Sequence, residues 1–434
     1  MTKRRARSIG ARLERLRARL RSHPLAHLGP GLITGVADDD PSGIATYSQA
    51  GAQFGLDMLW TMPVSYPLMA AVQSMCARIG RVTGKGLAAN IKETFHPAVL
   101  AGVLTLLLTA NVLNIAADVA AMGEVAALVV GGDRHLLTAA FVLVTLLLQI
   151  LVPYHRYVRY LKWLTVSLLA YAAVLFAVHV PWRQAALRTL WPHGAWDGNA
   201  ATVVVGVFGT TISPYLFFWQ ASEEIEDLRR TGAAPLNEAT AAVAHRELRR
   251  MRWDNWGGML YSNAAAYCII LATAVTLYPA GLHDIETAAQ AAGALRPIAG
   301  EFAYLVFALG ILGVGLIGVP VLAGSGGYAL AEAFDWPFGL EREAGQARGF
   351  YAVIAVSVLL ALGIQYSPIT PMKALFWSAV INGIVAVPLL AVIVLLASKP
   401  AVMGAWPAGR TTRWLGWLTV AVMAAAAVRM FLAI

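Results

Sequence analysis

The sequence predicts an all-α polytopic membrane protein with about eleven transmembrane helices. Of its 434 residues, 58% are hydrophobic and only 13% are charged, which excludes a soluble domain of this length. The apolar residues fall into repeated blocks of about 20, the length at which a helix crosses the hydrocarbon core. Two blocks, the first and the sixth, are interrupted midway by helix breakers beside polar residues.

The first interrupted block covers residues 28–54 and contains three adjacent carboxylates, Asp38, Asp39 and Asp40, followed by Pro41-Ser42-Gly43. Carboxylates are costly inside a membrane unless they face a cavity, a cation or a partner. Proline and glycine free backbone carbonyls there, which is tolerated only where the irregular backbone lines a cavity. We therefore expect a cation site in a broken helix, with Asp40 as a metal ligand because it directly precedes the break.

The second interrupted block, from about residue 202 to 229, contains the run Gly209 to Tyr215 with Ser213-Pro214 at its centre. This run offers hydroxyls and freed carbonyls and no soft donor, and oxygen ligands suit hard cations such as magnesium, calcium and manganese. The hydroxyl of Ser213 is a candidate ligand. The alternative is a hydroxyl that is satisfied by a backbone carbonyl one turn earlier.

Two broken helices five spans apart predict an inverted five-plus-five repeat, in which the first helix of each half is unwound at a shared midplane site. The chain then divides into a basic tail (1–27), a first five-helix repeat (28–180), an external loop (181–200), a second, inverted repeat (201–396), and a loop with helix 11 (397–434).

The basic residues predict the orientation in the membrane. Nine Lys and Arg lie in the tail, and most others lie in the connections that share its side, whereas the opposite connections hold Arg134, Arg183, Arg188 and Arg296. This imbalance favours a cytoplasmic N-terminus and, in a bacterial-type cell, the inner membrane. It also accounts for the net charge of +9 without a nucleic-acid partner. The cysteines, Cys76 and Cys268, lie in apolar spans and have no metal-site spacing.

Other polar residues inside the predicted spans are weaker candidates. The carboxylates of Asp38, Asp39, Asp118 and Glu124 are candidates for an aqueous path or proton relay, although Asp118 and Glu124 are equally well explained as satisfied interior acids. Glu223 and Glu224 continue the sixth span, where we expect an acidic surface that meets cations leaving inward. Asn382 and Gln220 are candidates for an outer shell of ligands, and Tyr215 for a gate.

At these residues the chain resembles the Nramp family of divalent-metal transporters, which share the LeuT-type fold. The family's first-span signature, Asp-Pro-Gly-Asn followed by an aliphatic or aromatic residue and Ala-Thr, is similar to the run from Asp40 to Thr46. The family's Met-Pro-His of the sixth span falls on Ser213-Pro214-Tyr215. The resemblance extends from about residue 28 to 396.

The resemblance implies roles for particular residues, and it has departures. The family's Asp ligand carries over to Asp40, and its backbone carbonyl ligand to Thr210. Its Asn ligand becomes Gly43, its Met thioether becomes Ser213, and the His associated with proton transfer becomes Tyr215, which cannot carry protons near neutral pH. Asp118 matches an Asp of the family's proton route, but the Glu three residues later is Ala121.

Loss of the thioether and amide removes the preference for soft metals and opens space for a partly hydrated ion. The pattern is similar to that of Nramp-related magnesium transporters. We therefore expect a monomeric carrier that imports a hard divalent cation by alternating access, magnesium first and manganese second, with weak or no proton coupling and no cofactor besides the cargo.

Alternatives remain open: proton-coupled manganese or iron uptake by an ordinary Nramp mechanism, a LeuT-fold transporter of an organic solute, and a sensor that does not transport. We expect no enzyme, because the sequence contains no nucleophile-base set, nucleotide loop or metal-hydrolase spacing.

Overall fold

A computed structural model describes residues 30–152, 167–192, 197–340, 342–364 and 369–433, and within these ranges the regular structure is entirely helical. The predicted basic tail, 1–27, lies outside the described residues, as do parts of the fifth predicted span and of the external loop.

The helices of the first half are α1 (Pro30–Asp38), α2 (Pro41–Phe54), α3 (Thr61–Thr83), α4 (Leu87–Thr94), α5 (Pro97–Val130), α6 (Arg134–Leu151), α7 (Leu169–Ala177) and α8 (Trp182–Leu190). Those of the second half are α9 (Gly198–Thr211), α10 (Pro214–Thr231), α11 (Ala241–Thr276), α12 (Ala288–Ala292), α13 (Arg296–Ala299), α14 (Ala303–Ala333), α15 (Arg348–Ile364), α16 (Pro371–Ser398), α17 (Pro400–Met403) and α18 (Arg410–Phe431).

Seven helical segments of the described chain are long and apolar enough to cross a membrane: α5, α6, the pair α9 and α10, α11, the segment from α12 to α14, α16 and α18. Among the other predicted spans, the first corresponds to α1 with α2, the second to α3 and the ninth to the 17-residue α15, while α7 is the described part of the fifth. The prediction of an all-α polytopic membrane protein is confirmed.

The two predicted breaks are present, and each has a local cause. Asp40 is extended (φ −72°, ψ 172°) and caps α2, because its carboxylate accepts a hydrogen bond from the backbone N–H of Gly43. Ser213 is extended (φ −82°, ψ 135°) between α9 and α10. Pro41 and Pro214 follow as the first helical residues, where a missing N–H and a fixed φ cost nothing.

Close packing of small residues holds the broken helices in the middle of the bundle. α11 packs against both α1 and α2, and α9 packs along α16. A Cβ atom on Gly35 would collide with the backbone of Gly258 in α11, and one on Gly209 would collide with Ala379 in α16. Such contacts are typical of membrane helices, where backbones approach closely. Both breaks are therefore enclosed on all sides by helices.

Candidate metal site

Asp40 lies in the gap between α1 and α2 and is 1% exposed. Its Oδ1 accepts hydrogen bonds from the hydroxyl of Ser42 at 2.6 Å and the backbone N–H of Gly43 at 2.8 Å. Its Oδ2 accepts from Asn114 Nδ2 at 2.9 Å and Tyr215 Oη at 3.2 Å. All four donors are neutral, and no Lys or Arg of the described chain forms an ion pair with this carboxylate.

The second break meets the first at this carboxylate. Tyr215, in the first turn of α10, bonds to Asp40 and also lies 3.3 Å from the backbone oxygen of Ala37 in α1. A Cβ atom on Gly43 would lie 3.1 Å from the hydroxyl oxygen of Thr210 and 3.6 Å from Asp40 Oδ1. The predicted meeting of the two breaks is therefore present in the fold.

Two hydroxyls beside Gly43 have hydrogen-bonding capacity to spare. The hydroxyls of Thr210 and Tyr47 are buried and lie close to each other, and neither bonds to any other residue within the described ranges. Each hydroxyl oxygen has two lone pairs. Together with Asp40 they form an oxygen-lined group suited to a hard cation.

Ser213 uses its hydroxyl within its own helix turn. Its Oγ lies 2.8 Å from the carbonyl oxygen of Gly209 and 2.7 Å from that of Thr210. This is the backbone-satisfied arrangement that the sequence left as the alternative. It occupies the hydroxyl proton and one lone pair of the Thr210 carbonyl, and leaves the lone pairs of Ser213 Oγ free to bind a cation.

Asp38 and Asp39 face away from Asp40. The hydroxyl of Ser262, in α11, lies within hydrogen-bonding distance of Asp38 Oδ2 and 3.0 Å from Asp39 Oδ1. Each carboxylate keeps one buried oxygen without a hydrogen bond to any described residue. The three adjacent carboxylates therefore do not converge, and no group of three or more His, Cys, Asp or Glu in the described chain is placed to share a metal.

The amide of Asn114 links Asp40 to a third and a fourth element. Its Nδ2 donates to Asp40, and its Oδ1 is 3.5 Å from Nδ2 of Asn382 in α16, a long contact. Asp118 lies one turn further along α5 and is fully buried, close to the backbone of Ser42 and to Asp40. Glu124 lies nearer the end of α5, where its carboxylate accepts the backbone N–H of Ala288 at 3.0 Å. Asn382 and Asp118 thus belong to the central group, and Glu124 does not.

The expected acidic surface beyond the second break is instead an ion-pair network around Arg81. Gln220 is buried, accepts a 2.6 Å hydrogen bond from Thr34 and lies 3.5 Å from Glu224. Glu224 is fully buried and lies 3.6 Å from the Arg81 guanidinium. Glu223 is partly exposed on the same helix. Arg81 lies among carboxylates that are distant from it in sequence and compensates their charge. The described residues beyond the second break therefore form an ion-pair network in place of the expected acidic surface.

The sequence analysis did not identify two further polar groups of the site, Asn114 and Ser262. Asn114 has a signal in the sequence, because Asn111, Asn114 and Asp118 recur at spacings of three and four residues in an otherwise apolar helix. Ser262 gives no such signal, since single serines are common in membrane helices.

Comparisons with known proteins find relatives over nearly the whole chain. Residues 31–433 match the model of the family described as "Nramp: Natural resistance-associated macrophage protein-like". The chain is 29% identical to the "Divalent metal cation transporter MntH" of Acidiphilium cryptum, over 93% of this chain and 89% of the relative. It is 27% identical to the protein of the same name from Mycobacterium tuberculosis, over 91% and 88% of the two chains.

Solved structures give the same fold at lower identity. A crystal structure of the Eremococcus coleocola manganese transporter matches with a TM-score of 0.72 at 16% identity, covering 94% of this chain and 86% of that one. Mhp1, a nucleobase-cation-symport-1 family transporter, matches with a TM-score of 0.60 at 12% identity, covering 94% and 90%. Because the family match spans nearly the whole described chain, this protein belongs to the Nramp family.

Proposed function

We propose that the protein is a secondary transporter that carries a hard divalent metal cation inward across the cytoplasmic membrane, magnesium first and manganese second. The observation that supports it most directly is the environment of Asp40, a buried carboxylate held by four neutral donors. A buried charge with no opposite charge is strongly unfavourable. A cation bound between the two breaks would supply that charge.

The chemistry of the donors favours a hard ion. Asp40, the Thr210 hydroxyl and carbonyl, and the Ser213 hydroxyl offer oxygen atoms, and Ser213 stands where the family motif has a thioether. Gly43 contributes no side chain, and its backbone packs so closely that a Cβ atom there would lie 3.1 Å from the Thr210 hydroxyl oxygen. Magnesium binds oxygen and keeps several of its waters, so this combination suits it. Asn382, through Asn114, would orient Asp40 from an outer shell.

Contacts on the other side of the break support alternating access. Thr34 of α1 bonds to Gln220 of α10, and the backbone N–H of Gly31 donates to Asp254 of α11 at 2.8 Å. With the Arg81 network, these contacts close the path from Asp40 towards the side that we assign to the cytoplasm. Release of the cation inward would require α1 to separate from α10 and α11.

We expect weak or no proton coupling, a monomeric carrier, no cofactor and a cytoplasmic N-terminus. Tyr215 replaces the family's proton-associated His, and its hydroxyl is already engaged by Asp40 and Ala37. Asp38, Asp39 and Asp118 are the remaining candidates for a proton path. All three carboxylates are buried, and one oxygen each of Asp38 and Asp39 has no hydrogen-bond partner among the described residues.

A second candidate is proton-coupled manganese transport. It is favoured by the names of the relatives, which are divalent metal cation transporters, and of the manganese transporter that shares the fold. The two candidates share the site and differ in cargo and coupling.

Uptake into proteoliposomes separates the two candidates. Purified protein would be reconstituted with a trapped pH-sensitive dye and offered magnesium, manganese or cadmium, with and without sodium. The proposal predicts magnesium and manganese uptake, poor cadmium uptake, no sodium requirement and no internal acidification. Cadmium uptake with internal acidification would favour the ordinary Nramp mechanism. Transport that depends on sodium and not on a divalent metal would contradict both candidate functions.

A further inference from the structure

A cavity with basic and aromatic walls lies away from the metal site, where α3 ends, α11 begins and α17 connects to α18. Its volume is about 590 Å³, and its walls include Arg78, His245, Arg249, Arg252, Trp253 and Trp406. None of the described residues that line it is acidic. The transport proposal gives this cavity no role.

The cations of the cavity are uncompensated by the described chain. Within the described ranges, Arg78, Arg249 and Arg252 form no ion pair, in contrast to Arg250, which is 3.0 Å from Glu247. Residues 245, 249 and 252 recur at spacings of four and three, so they share one face of α11. The acidic residues of this helix segment, Glu247 and Asp254, bond instead to Arg81 and to the backbone of Gly31. One face of α11 is therefore neutralised within the protein, and the other offers positive charge.

One cation is held in place by the fold. The Arg78 guanidinium donates to the backbone oxygens of Trp406 at 3.3 Å and Pro407 at 3.0 Å. These bonds use one of its nitrogens and leave the other N–H groups available. Arg78 is partly buried, whereas Arg249 and Arg252 are exposed. The cavity thus has one fixed cation at its base and two adjustable ones at its mouth.

Tryptophans place the cavity at the level of lipid headgroups. Trp253 is 72% exposed, and Trp406 packs edge-on against His245 with ring centroids 5.0 Å apart. Trp414, 63% exposed, follows in α18. Exposed tryptophans on membrane proteins concentrate at the interface between hydrocarbon and water. An anion that meets three arginines between interfacial tryptophans is most simply the phosphate of a membrane lipid.

We propose that this cavity binds the headgroup of an anionic phospholipid, which bridges α3 and α11 to the connection between α17 and α18. The phosphate would contact Arg78, Arg249 and Arg252, and the tryptophans would flank the glycerol backbone. This inference does not depend on the identity of the transported ion, because it concerns a site that shares no residue with the metal site.

The experiment measures lipid retention by native mass spectrometry on purified, delipidated protein. Phosphatidylglycerol is the probe, phosphatidylcholine is the zwitterionic comparison, and sn-glycerol 3-phosphate tests the headgroup without its chains. The test variant is Arg249→Gln with Arg252→Gln. The matched control is Arg246→Gln with Arg342→Gln, which removes the same charge at exposed positions that do not line the cavity.

We expect wild type and control to retain phosphatidylglycerol. The affinity of the test variant for this lipid should be at least roughly tenfold lower, since each nearby cation contributes to anionic-lipid attraction. Arg249→Lys with Arg252→Lys should restore most of the binding. Such a rescue would show that substitutions at these two positions leave the fold intact. Equal retention by wild type and test variant would overturn the proposal, as would equal losses in test and control. Displacement of the lipid by equimolar glycerol phosphate would also overturn it, because the site would then be one for soluble anions.

Discussion

Asp40 and Asp227 are two largely buried carboxylates that the protein treats in opposite ways. Asp40 accepts hydrogen bonds only from neutral groups. Asp227, nearly four turns beyond the second break, lies 2.6 Å from Arg81, 2.7 Å from Arg230 and 3.6 Å from Arg250. At Asp227 the protein supplies the opposite charge itself. At Asp40 no described residue supplies that charge, and in our proposal a bound cation does.

This difference assigns the two regions different tasks. A carboxylate fixed by neutral donors keeps its affinity for a cation that arrives and leaves. A carboxylate among arginines has little affinity for metal and instead holds helices together, here α3, α10 and α11. The centre is therefore suited to bind cargo, and the Arg81 network to close one end of the path.

The largest expected effect is that of Asp40→Asn, which keeps the shape of the side chain and removes its charge. Uptake of magnesium and manganese into proteoliposomes should fall roughly a hundredfold or more, because the charge that attracts the cation is lost. Asp57→Asn is the matched control, since Asp57 is a surface carboxylate that lies 3.3 Å from Arg188. Uptake by the Asp57 variant should stay near that of wild type. Normal transport by Asp40→Asn would contradict the assignment of the cation-binding charge to Asp40.

Removal of Arg81 should mainly affect stability. Arg81→Gln leaves Asp227, Glu247 and Glu224 without their shared cation, and breaking a buried pair in this way costs about 3–5 kcal/mol. Thermal unfolding in detergent measures the loss. Arg230→Gln removes a cation whose side chain is 65% exposed, so its cost should stay below about 1 kcal/mol. Equal shifts for the two variants would mean that burial does not distinguish the arginines.

The neutral donors of Asp40 should have a smaller effect than Asp40 itself. Asn114→Ala and Tyr215→Phe each remove one hydrogen bond to Oδ2, and loss of such an orienting contact typically weakens metal binding about tenfold. The KM for metal uptake measures this change. Asn111→Ala is the control, because Asn111 lies one turn earlier on α5 and bonds to Leu322 and Ser325 in α14 instead. A KM change as large in the control would contradict a specific role for Asn114.

The smallest expected effect is a change in selectivity. Ser213→Met introduces a thioether at the second break, so cadmium uptake relative to magnesium should rise severalfold, since soft donors favour softer metals. Ser213→Ala removes the hydroxyl without adding sulfur and should leave the ratio near that of wild type. If the ratio of cadmium to magnesium uptake also rises in Ser213→Ala, the space at this position, and not sulfur, would set the metal preference. Gly43→Asn is a harsher test, because even a Cβ there lies 3.1 Å from Thr210 Oγ1.

The sequence predicts the breaks well because their causes are local. Pro41 and Pro214 begin helices wherever they occur in such a pattern, and Asp40 caps the helix that follows it. The direction in which each carboxylate points is not determined by neighbouring residues in the sequence. Asp38 and Asp39 face α11 because the hydroxyl of Ser262, more than two hundred residues away in sequence, lies within hydrogen-bonding distance of both carboxylates. The Arg81 network likewise joins residues of α3, α10 and α11, which no spacing rule connects.

In our proposal Asp40, alone among the three adjacent carboxylates, supplies the charge that holds the cargo. Titration calorimetry of magnesium binding to purified wild type, Asp40→Asn and Asp39→Asn distinguishes this carboxylate from its neighbour. We expect saturable binding by wild type and by Asp39→Asn, and no measurable binding by Asp40→Asn. Binding that survives Asp40→Asn and disappears in Asp39→Asn would place the cation beside Ser262 and overturn the assignment to Asp40.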